Sequence, residues 1–199
     1  MNQPYHITQD PIILASQSPR RKELLEQAGL KFEIMAADID ENALPLALPR
    51  DYVKNLSRIK ADHIAKAHKD HWVIGADTIV VVEGNILGKP ETREESIRML
   101  TKLNNKQHSV FTGFTICSHT RGEFITKAIE TGVTFKKLSE REIQWYASTN
   151  EPYDKAGGYG IQGIGAFLVR KISGSYSNVV GLPVCEVMEA LTTLGIIQF

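Results

Sequence analysis

The sequence predicts an α/β fold built on a mixed β-sheet with flanking helices. Short apolar strands alternate with amphipathic helices along most of the chain. Near residues 109–136, two long segments rich in Val, Ile, Phe and Thr follow one another across His119-Thr120-Arg121-Gly122, adding an antiparallel part. Size agrees, since 199 residues make one large domain or two lobes sharing a core, and bury enough apolar surface to fold without cross-links.

The first strand, Ile12-Ile13-Leu14-Ala15, runs straight into Ser16-Gln17-Ser18-Pro19-Arg20-Arg21. Ser18 suits an N-cap and Pro19 the first helical position, so a helix is predicted over 19–28 with Gly29 as its stop. The loop sets free N–H groups, two hydroxyls and two guanidinium groups at a helix N-terminus, where the dipole favours an anion such as phosphate. The competing reading is two solvated first-turn arginines, although cations there oppose the dipole. Residues 32–35 read as a second strand leading to Asp38-Ile39-Asp40-Glu41. Three carboxylates in four residues can hold a hard cation, or form a solvated turn, which spacing alone favours. The period of Tyr52, Val53, Leu56, Ile59, Ala61, Ile64 and Ala65 predicts a helix over 51–68, with Lys54, Arg58, Lys60 and Lys66 available to water or a ligand.

Residues 73–82, Val-Ile-Gly-Ala-Asp-Thr-Ile-Val-Val-Val, read as a buried strand interrupted once by an acid and a hydroxyl. A carboxylate there costs several kcal/mol to desolvate unless a cation, a metal or hydrogen bonds meet it, so Asp77 requires a partner. Gly75 and Ala76 clear room for another backbone or a ligand; a strand kinked at Gly75 with its acid in solvent is the alternative. Glu83-Gly84-Asn85 is a tight turn, and Gly88 and Pro90 fix the backbone around Lys89. Thr92 with Glu95, and Ser139 with Glu142, are capping boxes for helices reaching about 103 and 148. Five glycines between Gly157 and Gly165 demand a backbone that turns sharply or lies against a ligand, without P-loop or dinucleotide spacing. A strand over 167–172 and a terminal helix from about Pro183 to 194, closed by Gly195, complete the chain.

Basic and acidic residues balance at 23 each, which argues against a nucleic-acid-binding or anionic-membrane surface and confines any phosphate site to a local cluster. Cys117 and Cys185 lack zinc spacing and read as buried free thiols in a reducing cytosol. No stretch has the length of a membrane span, and a soluble, cytoplasmic protein is expected. The six histidines read mostly as surface residues, and no serine sits in a nucleophile elbow. What remains is an anion loop, further cations at Lys60 and Lys89, an acid in a buried strand, a metal-capable loop and a glycine segment carrying an amide. Polyphosphate chemistry needs that set.

In these motifs the chain resembles the Maf family of nucleoside triphosphate pyrophosphatases: Leu14-Ala15-Ser16-Gln17-Ser18-Pro19-Arg20-Arg21, Gly75-Ala76-Asp77-Thr78, Leu87-Gly88-Lys89-Pro90, Asp154-Lys155-Ala156-Gly157 with Tyr159-Gly160-Ile161-Gln162-Gly163, and Val180-Gly181-Leu182-Pro183. The resemblance begins at about Ile12, leaving residues 1–11 as an extension expected to be disordered and 12–199 as a single domain. It implies an elongated mixed sheet in two lobes around a deep cleft, similar to the inosine triphosphate pyrophosphatases, and a homodimer. It implies hydrolysis between the α and β phosphorus atoms with a divalent ion, Mg²⁺ or Mn²⁺, and a possible house-cleaning or division-arrest role. Asp77 matches the proton acceptor and Glu41 an acid near metal and water, which makes both expected metal ligands. Ser16, Arg21, Lys60 and Lys89 match phosphate contacts, while Arg20, Thr78 and Gln162 match the branch acting on dTTP and UTP. A non-catalytic regulator of septum formation and a nucleotidyltransferase are the alternatives.

Overall fold

The computed structural model describes residues 6–7, 11–37, 39 and 48–198. In chain order the elements are β1 (His6–Ile7), β2 (Ile12–Leu14), α1 (Pro19–Gln27), β3 (Glu33–Ile34), α2 (Pro49–Ala67), β4 (Trp72–Val82), β5 (Asn85–Leu87) and α3 (Arg93–Leu103). There follow β6 (Gln107–Ser118), β7 (Glu123–Phe135), α4 (Glu140–Ala147), three 3-10 turns, β8 (Val169–Ser173), α5 (Tyr176–Val180), α6 (Val184–Thr193) and β9 (Ile197–Gln198). The main sheet has the order β3-β2-β4-β6-β7-β8, with β5 on β4. Its parallel and antiparallel pairings make it mixed, as the sequence predicts. The chain divides into two compact units, Met1–Asp77 with Thr112–Ile129 and Gly181–Phe199, and Thr78–Phe111 with Glu130–Val180.

In the first unit β2 lies parallel to both β3 and β4, with Leu14 opposite Ile34 and Ile74. Parallel neighbours require crossover helices, and α1 and α2 supply them. Two glycines decide where α2 lies. A Cβ on Gly75 would stand 2.5 Å from the Ser57 carbonyl oxygen and 2.7 Å from Ala61 N, and one on Gly113 would stand 2.2 Å from the Val53 carbonyl oxygen. The helix backbone therefore rests directly on β4 and β6. Its inward stripe, Val53, Leu56, Ser57, Lys60, Ala61, Ile64 and Ala65, is buried. Beneath it Ser57 Oγ donates to the Lys54 carbonyl and lies 3.0 Å from Thr115 Oγ1, so the hydroxyls of this interface are partnered. The backbone that Gly75 makes room for is that of α2.

In the second unit Glu83 and Gly84 both take positive φ, 50° and 77°, the signature of a two-residue hairpin turn joining β4 to β5. Leu100, Leu103, Val133, Phe135, Tyr146 and Leu168 form its core, each contributing about 1.5–3 kcal/mol on burial if apolar throughout. The capping box at Ser139 is complete. At Thr92 only half forms: the threonine accepts from Glu95 N–H, while Glu95 turns to the N–H of Glu91.

Several expectations are corrected. Ser18 makes no side-chain cap on α1; its own N–H donates instead to Ser16 Oγ at 3.3 Å. Phe167 and Leu168 belong to a 3-10 turn, because Gly163 and Gly165 tighten the chain there, and the strand starts at Val169. A short helix, α5, which the sequence reading does not anticipate, spans Tyr176–Val180. Cys117 is buried and inert, its thiol pushed up to about 12 chiefly by burial, but Cys185 is exposed, on the outward side of α6. His108 is not a surface residue either: it is 3 % exposed, and its Nε2 lies 2.7 Å from Tyr159 Oη. Burial pushes its imidazole down to about 4, which keeps it neutral. The pair of short strands at the two ends of the described residues is antiparallel, with His6 of β1 opposite Gln198 of β9.

Candidate active site

Asp77 ends the part of β4 that belongs to the first unit, and it is 7 % exposed. The partner that a buried carboxylate demands is Lys60, whose Nζ donates to Asp77 Oδ1 at 2.6 Å. Lys60 is itself 9 % exposed. It does not stand on the solvent face of its helix, but on the stripe of Leu56, Ser57 and Ile64 that meets the sheet. The geometry follows from Gly75, which lets α2 settle so close that residue 60 arrives over residue 77. The solvent-facing alternative for Asp77 is not what forms.

The register of β2 and β4 continues past the strands, since the Ala15 N–H donates to the Ile74 carbonyl at 2.8 Å. Ser16 and the loop behind it therefore leave β2 alongside residues 75–77, at the carboxyl end of β2 and just past its parallel pairing with β4, the side on which open α/β sheets place their ligands. Ser16 is nearly buried, and its Oγ accepts from Arg21 Nη1 at 3.0 Å as well as from Ser18 N–H. Arg21 Nε donates to the Gly181 carbonyl at 2.9 Å. One guanidinium thus ties the anion-suited loop to the Val-Gly-Leu-Pro motif. Gly181 takes φ 131°, a conformation open to glycine. Its anchoring role was not readable from a motif that looks like a helix start. Arg20, beside it on α1, is half-buried.

Thr78 follows Asp77 on β4, so the two side chains leave the strand on opposite faces. Lys89 is exposed beyond β5, in a bend held by the Gly157 N–H on the Gly88 carbonyl at 2.8 Å. Gln162 is half-buried at the head of the last 3-10 turn, between Gly160 and Gly163. These three belong to the second unit. Glu41, with Asp38 and Asp40, lies outside the described residues. Among the described residues no three His, Cys, Asp or Glu side chains gather to hold a metal ion. Among the described residues of this site, Asp77 is the right kind of donor, an oxygen ligand for a hard ion of the sort that keeps waters and substrate phosphates as its other ligands.

The chain is similar to known proteins over most of its length. The family described as Maf-like protein matches residues 11–194, which includes the Ser16 loop, Lys60, Asp77, Lys89 and Gln162. A dTTP/UTP pyrophosphatase of Geotalea uraniireducens is 51 % identical over 187 residues, covering 94 % of this chain and 96 % of that protein. Proteins of the same name from Syntrophus aciditrophicus and Geobacter sulfurreducens are 46 % and 47 % identical, covering 96 % and 92 % of this chain and 93 % and 96 % of theirs. The Ham1 protein of Staphylococcus aureus superposes with a TM-score of 0.51 at 13 % identity, over 94 % of this chain and 100 % of that one, a likeness of fold. The chain belongs to the Maf family.

Proposed function

We propose that this protein is a nucleoside triphosphate pyrophosphatase that hydrolyses dTTP and UTP to the monophosphate and pyrophosphate. The observation that carries the reading is the buried Lys60–Asp77 pair in the middle of β4, just past its parallel pairing with β2, beside Ser16 and Arg21. The names of its relatives support the substrate class. They favour turnover over a non-catalytic regulator or a nucleotidyltransferase.

In this mechanism Asp77 accepts the proton of the water that attacks the α-phosphorus. Lys60 offsets the carboxylate charge in the resting protein and adds positive charge where the triphosphate must be neutralised. Ser16, Arg21 and Lys89 bind the phosphates and stabilise the departing pyrophosphate. Mg²⁺ or Mn²⁺, held by Asp77 and Glu41, would polarise the phosphoryl oxygens. Uracil and thymine present acceptor, donor and acceptor along one edge, and the Gln162 amide both gives and accepts hydrogen bonds. Thr78 and Arg20 complete base selection. A homodimer in the cytoplasm, with a house-cleaning role, extends the proposal on the family resemblance.

Pyrophosphate release from a panel of normal and modified nucleoside triphosphates, with Mg²⁺ and with Mn²⁺, tests the reading. UTP, dTTP or a modified pyrimidine is expected to lead the panel. A purine preference removes the roles given to Gln162 and Thr78.

A further inference from the structure

The turn that carries Gln162 is fastened on its two flanks by two side chains that are bonded to each other. On one flank the Gly160 N–H donates to Tyr146 Oη at 3.2 Å. On the other the Glu151 carboxylate accepts from the Ile164 N–H at 2.9 Å and the Gly165 N–H at 2.7 Å. The circuit closes through Tyr146, which donates its own proton to Glu151 Oε1 at 3.0 Å. Both fasteners are themselves held. Tyr146 is fully buried on α4 with its ring edge-on to Phe167. Glu151 receives Lys155 Nζ on its carbonyl at 2.7 Å. Only residues 161–163 lie between the fastened points, with Gln162 at their centre.

The glycines of this segment are fitted to the circuit. A methyl on Gly165 would stand 2.2 Å from the Gly160 carbonyl oxygen, 2.7 Å from Tyr146 Oη and 2.9 Å from Glu151 Oε1. Gly163 takes φ 68°, and a methyl there would meet Glu151 Oε2 at 2.8 Å. The close approach that these glycines permit is thus to Tyr146 and Glu151.

We infer that Tyr146 and Glu151 are positioning residues that set base preference by fixing the backbone on both sides of Gln162. The inference rests on the proposed role of Gln162 as the base reader. A primary amide carries its donor and its acceptor on one rotatable group, so turning it over converts a uracil reader into a cytosine reader. Discrimination therefore depends on how firmly the amide is aimed. Three donors converge on the Glu151 side chain, the Tyr146 hydroxyl and the Gly165 N–H on Oε1 and the Ile164 N–H on Oε2, so both of its oxygens are committed to holding the turn. Glu151→Gln keeps the side-chain size but turns an amide N–H₂ toward at least one of those donors. Tyr146→Phe keeps the ring and deletes the link between the two flanks.

The test compares kcat and KM for UTP and CTP in the wild type, Glu151→Gln, Tyr146→Phe and Gln162→Ala, each shown to be folded by circular dichroism at the assay temperature. The UTP-over-CTP ratio of kcat/KM is expected to collapse in Gln162→Ala. In Glu151→Gln and Tyr146→Phe it falls by about 10-fold or more, through a raised KM for UTP at little-changed kcat. A ratio that collapses in Gln162→Ala but survives in both positioning variants overturns the inference, as does an equal proportional loss on UTP and CTP in those variants. A ratio that survives in Gln162→Ala overturns the base-reading role itself, and the inference with it. Should Glu151→Gln fail to fold, Tyr146→Phe carries the same comparison.

Discussion

Asp77→Asn is expected to lower pyrophosphate release from UTP by about 10³-fold, the scale of losing a positioned general base, while nucleotide binding persists. Asparagine keeps the shape and can still accept from Lys60 Nζ, which stands 2.6 Å from Oδ1, but it can neither take a proton from water nor balance the ammonium. The charge that Asp77 supplies to Lys60 is then lost, so the same substitution is expected to reduce stability by up to about 3 kcal/mol. Titration calorimetry with UTP separates binding from turnover, and urea denaturation measures the stability term. The cycle with Lys60→Met is informative, because the double variant, with neither charge, should recover part of the stability that either single change removes, and none of the activity. Turnover unchanged in Asp77→Asn would remove the mechanism.

Gly113→Ala is expected to destabilise the protein by about 3 kcal/mol, the upper part of the range for overpacking, which in a chain of this length lowers Tm by about 6–12 °C. The added methyl would stand 2.2 Å from the Val53 carbonyl oxygen, 2.4 Å from its carbon and 2.8 Å from Lys54 N. These are backbone atoms of α2 and cannot rotate away, so the helix must lift. Gly75→Ala pushes on the same helix at Ser57 and Ala61, either side of Lys60. Its expected signature is lost activity as well as lost stability, because Lys60 is drawn off Asp77. Gly88→Ala is the control: nothing lies within 4 Å of the added methyl, and the change in stability should stay within about 0.5 kcal/mol. Wild-type melting of Gly113→Ala in differential scanning calorimetry would contradict the account of how α2 is seated.

These two residues mark where sequence reasoning reaches and where it stops. That Asp77 needed a partner was legible, because an acid in a run of Val and Ile has only a few affordable environments. That the partner is Lys60 was not. Lys60 falls on the apolar stripe of α2, at four residues from both Leu56 and Ile64, a signal present in the period, yet a lysine reads by default as solvated. Choosing it needs the depth at which the helix meets the sheet, and Gly75 and Gly113 set that depth through contacts remote in sequence. The glycine segment shows the same division. A sharply turning backbone was legible from its composition, whereas Glu151 and Tyr146, around which it turns, carry no local signal. Ser139 and Thr92 were legible because capping is chemistry within four residues; at Thr92 even that failed by half, since Glu95 finds the N–H of Glu91 instead. The strands of the mixed sheet followed from β-branched runs, but the late start of β8 depends on how tightly Gly163 and Gly165 close the preceding turn.

The central claim is that water attacks the α-phosphorus of UTP at Asp77. Hydrolysis in water enriched in heavy oxygen, followed by phosphorus NMR of the products, tests it most directly. The label is expected on the phosphate of UMP, with the pyrophosphate unlabelled, and its incorporation is expected to be about 10³-fold slower in Asp77→Asn. Label in the pyrophosphate, or in inorganic phosphate released together with UDP, would contradict it.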